Sequence, residues 1–373
     1  MPSLVIDARM VHSSGIGVYL KQLIPFLLSS FQVTVLGKPE ELNGLAWAPS
    51  VQVIPMEADI YSIKEQVELV SKIPSCDIFW SPQYNVPLLP IRAKKRLVTI
   101  HDTYHLAYRH TLPLAHKLYA TAVMKAAVRL ADQVITVSHF SKTEIAKYTN
   151  CPLEKISVIY NGVDNVRFKA DFPEKASKQL REALPQLPEK YLLYVGNVKP
   201  HKNLITLLKA YASLNPALQA EYHLVIVGQK QGFITPDQEV FQFLEQHPSL
   251  ALKVDFTGFV ADALLPFLYK CASLSVFPSV YEGFGLPPLE SMACGCPVVA
   301  SSSASIPEVC GGAALYFRAL DAEELRIQLE NVLTDERLRA DLVKKGLKQS
   351  KEFTWEKSAA QHLSVLKELL PKG

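Results

Sequence analysis

Short, almost continuously apolar runs alternate with longer stretches of helical spacing along the whole chain, and this alternation limits the fold more than any other feature. Residues 4–6, 33–36, 51–54, 78–80, 97–100, 134–137 and 157–159 are β-rich, and segments such as 17–29 and 114–130 lie between them with apolar residues at helical intervals. A strand that is apolar on both faces needs helices packed on both, so the pattern predicts an α/β domain with a mainly parallel sheet. After a segment rich in Lys, Pro and Glu, 165–190, the pattern restarts, with strands expected at 191–195, 224–227, 254–256, 274–277, 297–300 and 314–317. A chain of 373 residues is long for one core, since a domain takes about 150 residues. Two doubly wound domains in series are predicted, with the boundary near residues 164–171. In such sheets ligands bind at the carboxyl ends of the strands, around a shared crevice.

Residues 278–300 carry the densest local signal. An apolar run stops at Pro278, a loop containing Gly283 and Gly285 follows, and Pro287 and Pro288 open a helix expected over 288–294, closed by Gly295. Proline fits the first turn because its missing N–H has no partner there, and glycine fits the position past the last turn. Glu282 falls in the loop and Glu290 in the expected first turn, beside free backbone N–H groups that favour anions. Carboxylates for hydroxyls and amides for phosphate are the two things a nucleotide sugar requires. A surface loop with a glutamate at a helix dipole satisfies the same spacing.

Composition narrows the class. Hydrophobic residues make up 49% and charged residues 20%, which is ordinary for a globular protein. A net charge of +3 and a pI near 8.4 are too weakly basic to argue for nucleic-acid binding. Cys76, Cys151, Cys271, Cys294, Cys296 and Cys310 lack the paired spacing of a zinc site and read as buried thiols in a reducing cytoplasm. The chain runs directly into its first strand without a secretory signal, and it contains no apolar run of about 18 residues. A cytoplasmic protein is expected.

Polar residues at strand ends are the candidates for chemistry. Gly15 and Gly17 precede a helix and would let its start approach a phosphate or a sugar. A dinucleotide fingerprint needs the loop directly after the strand and a third glycine; here the loop comes late and position 20 is Leu. His101 follows the run 97–100 and is placed either to donate to a ligand oxygen or to bond with nearby backbone. Lys202 lies just before a helix expected to open at Leu204, where a cation opposes the helix dipole unless an anion is also bound.

Taken in order, Gly15-Ile16-Gly17, Thr99-Ile100-His101-Asp102, Asn161-Gly162-Val163-Asp164, Tyr194-Val195-Gly196, His201-Lys202-Asn203, Thr257-Gly258 and the stretch from Tyr281-Glu282-Gly283-Phe284-Gly285-Leu286-Pro287 to Glu290 resemble the retaining glycosyltransferases of family 4. The resemblance spans nearly the whole chain. It implies the GT-B fold, two Rossmann-like domains facing a central cleft: 1–168 on the acceptor side, joined by a returning C-terminal helix within 355–373, and 169–354 on the donor side. It further implies that Glu290 holds the ribose hydroxyls and that Glu282 contacts the donor sugar. The backbone amides of Gly283, Phe284, Gly285 and Leu286 would reach hydroxyls and phosphate, with Asn197 at the same site. Lys202 would neutralise the leaving diphosphate, His101 would touch the sugar near the reacting carbon, and Gly15 and Gly17 would shape the amino-terminal wall. The family often has an arginine where this chain has Asn197.

The expected reaction is metal-independent transfer of a hexose, with retention, from a nucleoside-diphosphate sugar such as UDP-glucose or GDP-mannose to a glycan or lipid-linked saccharide. No cofactor or metal is expected. Acceptor choice is assigned to amino-terminal loops, including 83–85 and 104–111. A lipid-linked acceptor would account for the basic run Arg92, Lys94, Lys95 and Arg96 and the basic, apolar helix 114–130 through peripheral contact with the inner face of the membrane. Two alternatives remain at this level: a non-catalytic nucleotide- or glycan-binding protein, and a Rossmann-type NAD-dependent oxidoreductase.

Overall fold

The computed structural model of the chain describes residues 1–109, 113–172, 175–229 and 237–371. His110 and Thr111 of the expected acceptor loop, and residues 372 and 373, lie outside them. The chain packs as two compact units, Met1–Gly162 with Trp355–Gly373, and Val163–Thr354.

The first unit contains β1 (Ser3–Asp7), β2 (Gln32–Gly37), β3 (Gln52–Pro55), β4 (Cys76–Ser81), β5 (Ala93–Thr99), β6 (Gln133–Thr136) and β7 (Ile156–Val158). They form a 7-stranded sheet in the order β3-β2-β1-β4-β5-β6-β7, parallel throughout. The second unit contains β8 (Tyr191–Val195), β9 (His223–Val227), β10 (Val254–Gly258), β11 (Leu274–Phe277), β12 (Val298–Ser301) and β13 (Ala314–Phe317). Its 6-stranded sheet runs β10-β9-β8-β11-β12-β13, again parallel. Each sheet is a doubly wound, Rossmann-like arrangement, and the strand order reverses between β1 and β4 in one and between β8 and β11 in the other. Helices cover the faces, which is why Leu192, Leu193, Leu224, Val225, Leu274 and Val276 can all be fully buried on neighbouring strands.

Residues 163–168 pack with the second unit rather than the first. The Val163 N–H donates to the Phe353 carbonyl at 3.0 Å, and the Phe168 ring stands 6.2 Å from Tyr269. The basic run is not a loop. β5 begins at Ala93 and carries Lys94, Lys95 and Arg96 within it. Lys94 pairs with Asp77 and Lys95 with Asp132, each at 2.8 Å, and the Arg96 guanidinium donates to the carbonyls of Pro87 and Leu89. These cations are engaged at the amino-terminal ends of the strands, with the Lys94 side chain 67% and the Lys95 side chain 43% exposed. Among the described residues no helix is long and apolar enough to cross a membrane. All the cysteines are free, and all but Cys271 are buried.

The first helix spans Ser14–Leu27, so Gly15 and Gly17 lie inside its first turn and not in a loop before it. Gly17 is buried, and a Cβ there would meet the Val11 carbonyl oxygen at 2.4 Å. Its need for glycine is internal packing. The clash is with backbone, so Gly17→Ala is expected to cost about 1–3 kcal/mol of stability, read as a lower denaturation midpoint; an unchanged midpoint would show that the 8–13 loop yields freely.

Candidate functional site

In the second unit the reversal of strand order sets the loop after β8 beside the loop after β11, and chemistry collects there. A cleft of about 300 Å³ with its open mouth is lined by Tyr194, Lys202, Phe277, Ser279, Glu282 and Gly285, among others. The two loops are joined through backbone, with the Val280 N–H donating to the His201 carbonyl at 2.9 Å. Across that joint the Lys202 Nζ lies 2.6 Å from Glu282 Oε1, and the Ser279 hydroxyl donates to the same oxygen at 2.7 Å. Burial pushes the Glu282 carboxyl up, but Lys202 with His201 and Ser279 holds it below its ordinary value.

Residues that the sequence reading passed over build this joint. Lys202 ends a turn of 3-10 helix, Pro200–Lys202, and Asn203 follows at φ 55, a left-handed conformation that asparagine tolerates better than most residues. The Asn203 amide donates to the carbonyls of Pro278, at 2.9 Å, and Ala319, tying the β8 loop to the end of β11. The Ser301 hydroxyl donates to the Ser279 carbonyl. Ser305 is fully buried, with its hydroxyl 2.9 Å from the Glu282 carbonyl and 2.8 Å from that of Phe284. A trans peptide points its N–H opposite its C=O, so Ser305 aims the N–H groups of Gly283 and Gly285 away from itself. Ser279 and Ser301 follow directly on apolar runs, which was the available signal for those two.

The helix after this loop is Leu286–Ala293, preceded by Gly285 at φ 107. It starts earlier than the expected 288–294 because Gly285 adopts the left-handed conformation that begins it, and Pro287 and Pro288 both fit within a first turn that needs no N–H donors. Glu290 consequently lies beyond the first turn, which holds no acidic residue. The prolines also thin the helix's own amides, leaving Leu286 and the loop to supply them. Phe284 is buried and packs edge-on to Phe353 at 5.8 Å.

Glu290 is half-buried and accepts from the Tyr269 hydroxyl at 3.3 Å. Burial pushes its pKa up to about 7, against the opposing pull of Arg167 and Tyr269. It makes no ion pair among the described residues. Asn197 does not reach the cleft's charged pair. Its Oδ1 accepts from the Gln229 N–H at 3.2 Å, bracing the ends of β8 and β9 where a Cβ on Gly228 would meet the Gly196 oxygen at 2.2 Å.

His101, Gly15 and Gly17 belong to the first unit. His101 follows β5, and its Nε2 lies 2.9 Å from the Pro82 carbonyl oxygen; burial lowers its pKa. At the reversal of this sheet Arg9 pairs with Asp7 and Glu65, each at 2.6 Å, and Glu65, Asn85 and Gln83 are buried. Tyr61 stands at the rim in a left-handed conformation, φ 67, stacked on Tyr84 and edge-on to Tyr119. Among the described residues no group of three or more His, Cys, Asp or Glu side chains comes together in a way that could hold a metal ion.

Comparison with known proteins covers both units. The family model for glycosyl transferases group 1 matches residues 176–349, and that for glycosyltransferase family 4 matches residues 13–167. The O-antigen chain mannosyltransferase B of Escherichia coli is 31% identical over 282 residues, 75% of this chain and 72% of that protein. The O-antigen chain mannosyltransferase RfbU of Salmonella typhimurium is 31% identical over 74% of this chain and 71% of its own. Among solved structures, HepE of Anabaena in complex with UDP-glucose aligns with a TM-score of 0.80 at 20% identity, over 99% of this chain and 100% of that one.

The Glu290 shift yields a pH dependence. In the ribose-binding role that the resemblance implies for Glu290, an ionised carboxylate would accept from two hydroxyls, whereas the protonated form has lost acceptor capacity. With the empty-site pKa at about 7, nucleotide affinity should strengthen as pH rises through 7 and then level off. Calorimetric titration with UDP and GDP from pH 5.5 to 8.5 checks this, with Glu290→Gln losing that component; identical pH profiles for the two proteins would place the ribose elsewhere.

Proposed function

The chain belongs to glycosyltransferase family 4, the glycosyl transferases group 1, and from that premise we propose that it moves a hexose from a nucleoside-diphosphate sugar to a saccharide hydroxyl in polysaccharide assembly, with retention at the anomeric carbon. The observation that carries the reading is the Lys202–Glu282 pair at 2.6 Å, set across the strand reversal beside the Gly283–Gly285 amides. The transferred sugar is taken as mannose, with GDP-mannose preferred over UDP-glucose, because two relatives matched over more than two thirds of their length are mannosyltransferases. The acceptor is a glycan or a lipid-linked glycan.

In this reading the ligand-free pair is a resting arrangement. An arriving diphosphate competes for Lys202, and Glu282, released from its cation, turns its oxygens to hydroxyls of the donor sugar. As the anomeric carbon gains oxocarbenium character, negative charge grows on the diphosphate, and Lys202 with the loop amides meets it. Glu290 accepts from the ribose hydroxyls. The leaving phosphate takes the acceptor proton on the face it departs from. Lysine and amides supply all of the positive charge, so turnover is metal-independent, and activity should survive excess EDTA; loss of turnover with recovery on added Mg²⁺ or Mn²⁺ would overturn that part.

The acceptor is assigned to the tyrosine-lined rim of the first unit, where Tyr61, Tyr84 and Gln83 meet, because stacked rings with phenolic edges suit sugar rings. The oxidoreductase alternative loses its basis in the family to which the chain belongs. The binding-only alternative rested on the lack of an arginine at position 197, and Asn197, taken up by the Gln229 N–H, brings no positive charge to the cleft, so turnover in the donor panel is what separates the two readings.

Incubation with a panel of UDP- and GDP-sugars, following release of nucleotide, tests the class and the donor together. Removing a cation that acts on developing charge should lower kcat by about 10²–10³-fold, so Lys202→Ala is expected to do so; near-normal turnover would show that another group meets the diphosphate. Glu290→Ala should instead raise the donor KM with a smaller effect on kcat.

A further inference from the structure

Beyond the end of β12 the chain turns through Ala304 at φ 55, a left-handed conformation that strains alanine and persists only where the surroundings impose it. The next residue, Ser305, precedes a short helix, Ile306–Cys310, in the position from which a serine ordinarily accepts from the helix's own N–H groups. It makes no such bond. Its hydroxyl is turned instead into the loop after β11, 2.9 Å from the Glu282 carbonyl oxygen and 2.8 Å from that of Phe284. A carbonyl only accepts, so one hydroxyl proton is shared between two loop carbonyls. Ser305 is fully buried, and no solvent competes for that proton.

The bond governs the peptide between Phe284 and Gly285. Gly285 lines the cleft together with Lys202 and Glu282, and its N–H makes no hydrogen bond among the described residues. It stands at φ 107, and glycine takes either sign of φ with similar ease, so this peptide could turn over without strain at that residue. Turned over, it would present a carbonyl oxygen where the N–H now stands and would repel a phosphate. A Phe284 carbonyl held by Ser305 keeps the N–H on the opposite side of the peptide aimed away from the serine. A donor on the carbonyl oxygen also polarises the peptide group, which strengthens the N–H at its other end.

We propose that Ser305 is a positioning residue for transfer: by holding the Phe284 carbonyl it fixes the Gly285 N–H as a donor to the diphosphate of the sugar nucleotide. The proposal rests on the reading of this cleft as the diphosphate site, and adds to it a residue that never touches the ligand. Every group involved, from Lys202 to Ser305, lies within the second unit. The strain at Ala304 acquires a purpose, since it accompanies the turn of the serine away from its own helix and toward the loop.

The test is calorimetric titration of the full chain with inorganic pyrophosphate, with UDP and GDP, and with uridine and guanosine. Ser305→Ala is expected to weaken pyrophosphate and both nucleotides about 10-fold, and the nucleosides, which carry no phosphate, by less than about 2-fold. With whichever sugar nucleotide is turned over, kcat should fall at least about 10-fold, because charge on the diphosphate grows in the transition state. Ser275→Ala supplies the comparison. It removes another fully buried hydroxyl of the same unit, bonded to Ser291 in the core; it should lower the denaturation midpoint and leave pyrophosphate affinity within about 2-fold. If Ser305→Ala does not fold, Ser305→Cys, which keeps a side chain of similar size with a weaker donor, is read in its place and should shift in the same direction. A Ser305 variant that binds pyrophosphate as tightly as the parent, equal losses for pyrophosphate and nucleosides, or the same loss in Ser275→Ala would each overturn the proposal. A parent protein that binds no pyrophosphate, and binds UDP and GDP no more tightly than their nucleosides, would sink the diphosphate reading itself, which is a different result from an unaffected Ser305 variant.

Discussion

A parallel strand covered by helices on both faces has nowhere to carry a polar side chain until it emerges at its end. This constraint organises each unit of the protein. β8 and β11 carry few polar groups along their buried length, Ser275 and the Tyr191 hydroxyl being bonded within the core, and the polar residues of Asn197–Asn203 and Ser279–Glu282 appear where the strands run out. Because the strand order reverses between them, the two loops meet at the edge of a cleft, joined by the Val280 N–H to the His201 carbonyl. The order also reverses where β1 and β4 part, and there the buried Arg9, Asp7 and Glu65 cluster.

Glu282 in the cleft and Glu290 on the helix after it meet the cost of desolvation in different ways. Glu282 stays ionised because a lysine and a hydroxyl share one of its oxygens. Glu290 has only a phenol, and it answers burial by holding a proton up to about pH 7. A buried carboxylate without a cation is expensive, and one of these two outcomes is unavoidable. The consequence is that the two carboxyls carry different charge at neutral pH although both are withdrawn from water.

Much of this was legible in the amino-acid sequence because strands buried on both faces write themselves as apolar runs; every expected strand is present, and the parallel sheets follow. The edges were harder to read. β5 extends back through Lys94, Lys95 and Arg96, residues that look like a loop until their acidic partners, distant in sequence, are seen alongside. The start of the helix at Leu286 depends on one left-handed glycine and not on the prolines that drew attention. Glu282, Glu290, Lys202 and His101 stood out by position, whereas Asn203, Ser279, Ser301 and Ser305 did not, because small polar residues after a strand are common and their work lies in carbonyls contributed from elsewhere. The Tyr19 hydroxyl and His362, 2.6 Å apart in the core of the first unit, were invisible for the same reason, since residues 343 apart in sequence share no local pattern.

The first unit closes only with the last segment of the chain, and this bears on the order of events during synthesis. All of β1 to β7 leaves the ribosome well before residue 355 is made, and a nascent domain begins to collapse as it emerges. Until the final helix arrives, the faces of Tyr19 and Trp80 that it covers have no packing partner, and the Tyr19 hydroxyl lacks its bond to His362. The amino-terminal unit must therefore wait, incompletely packed, while the second unit is built, until Trp355–Glu368 follows it out.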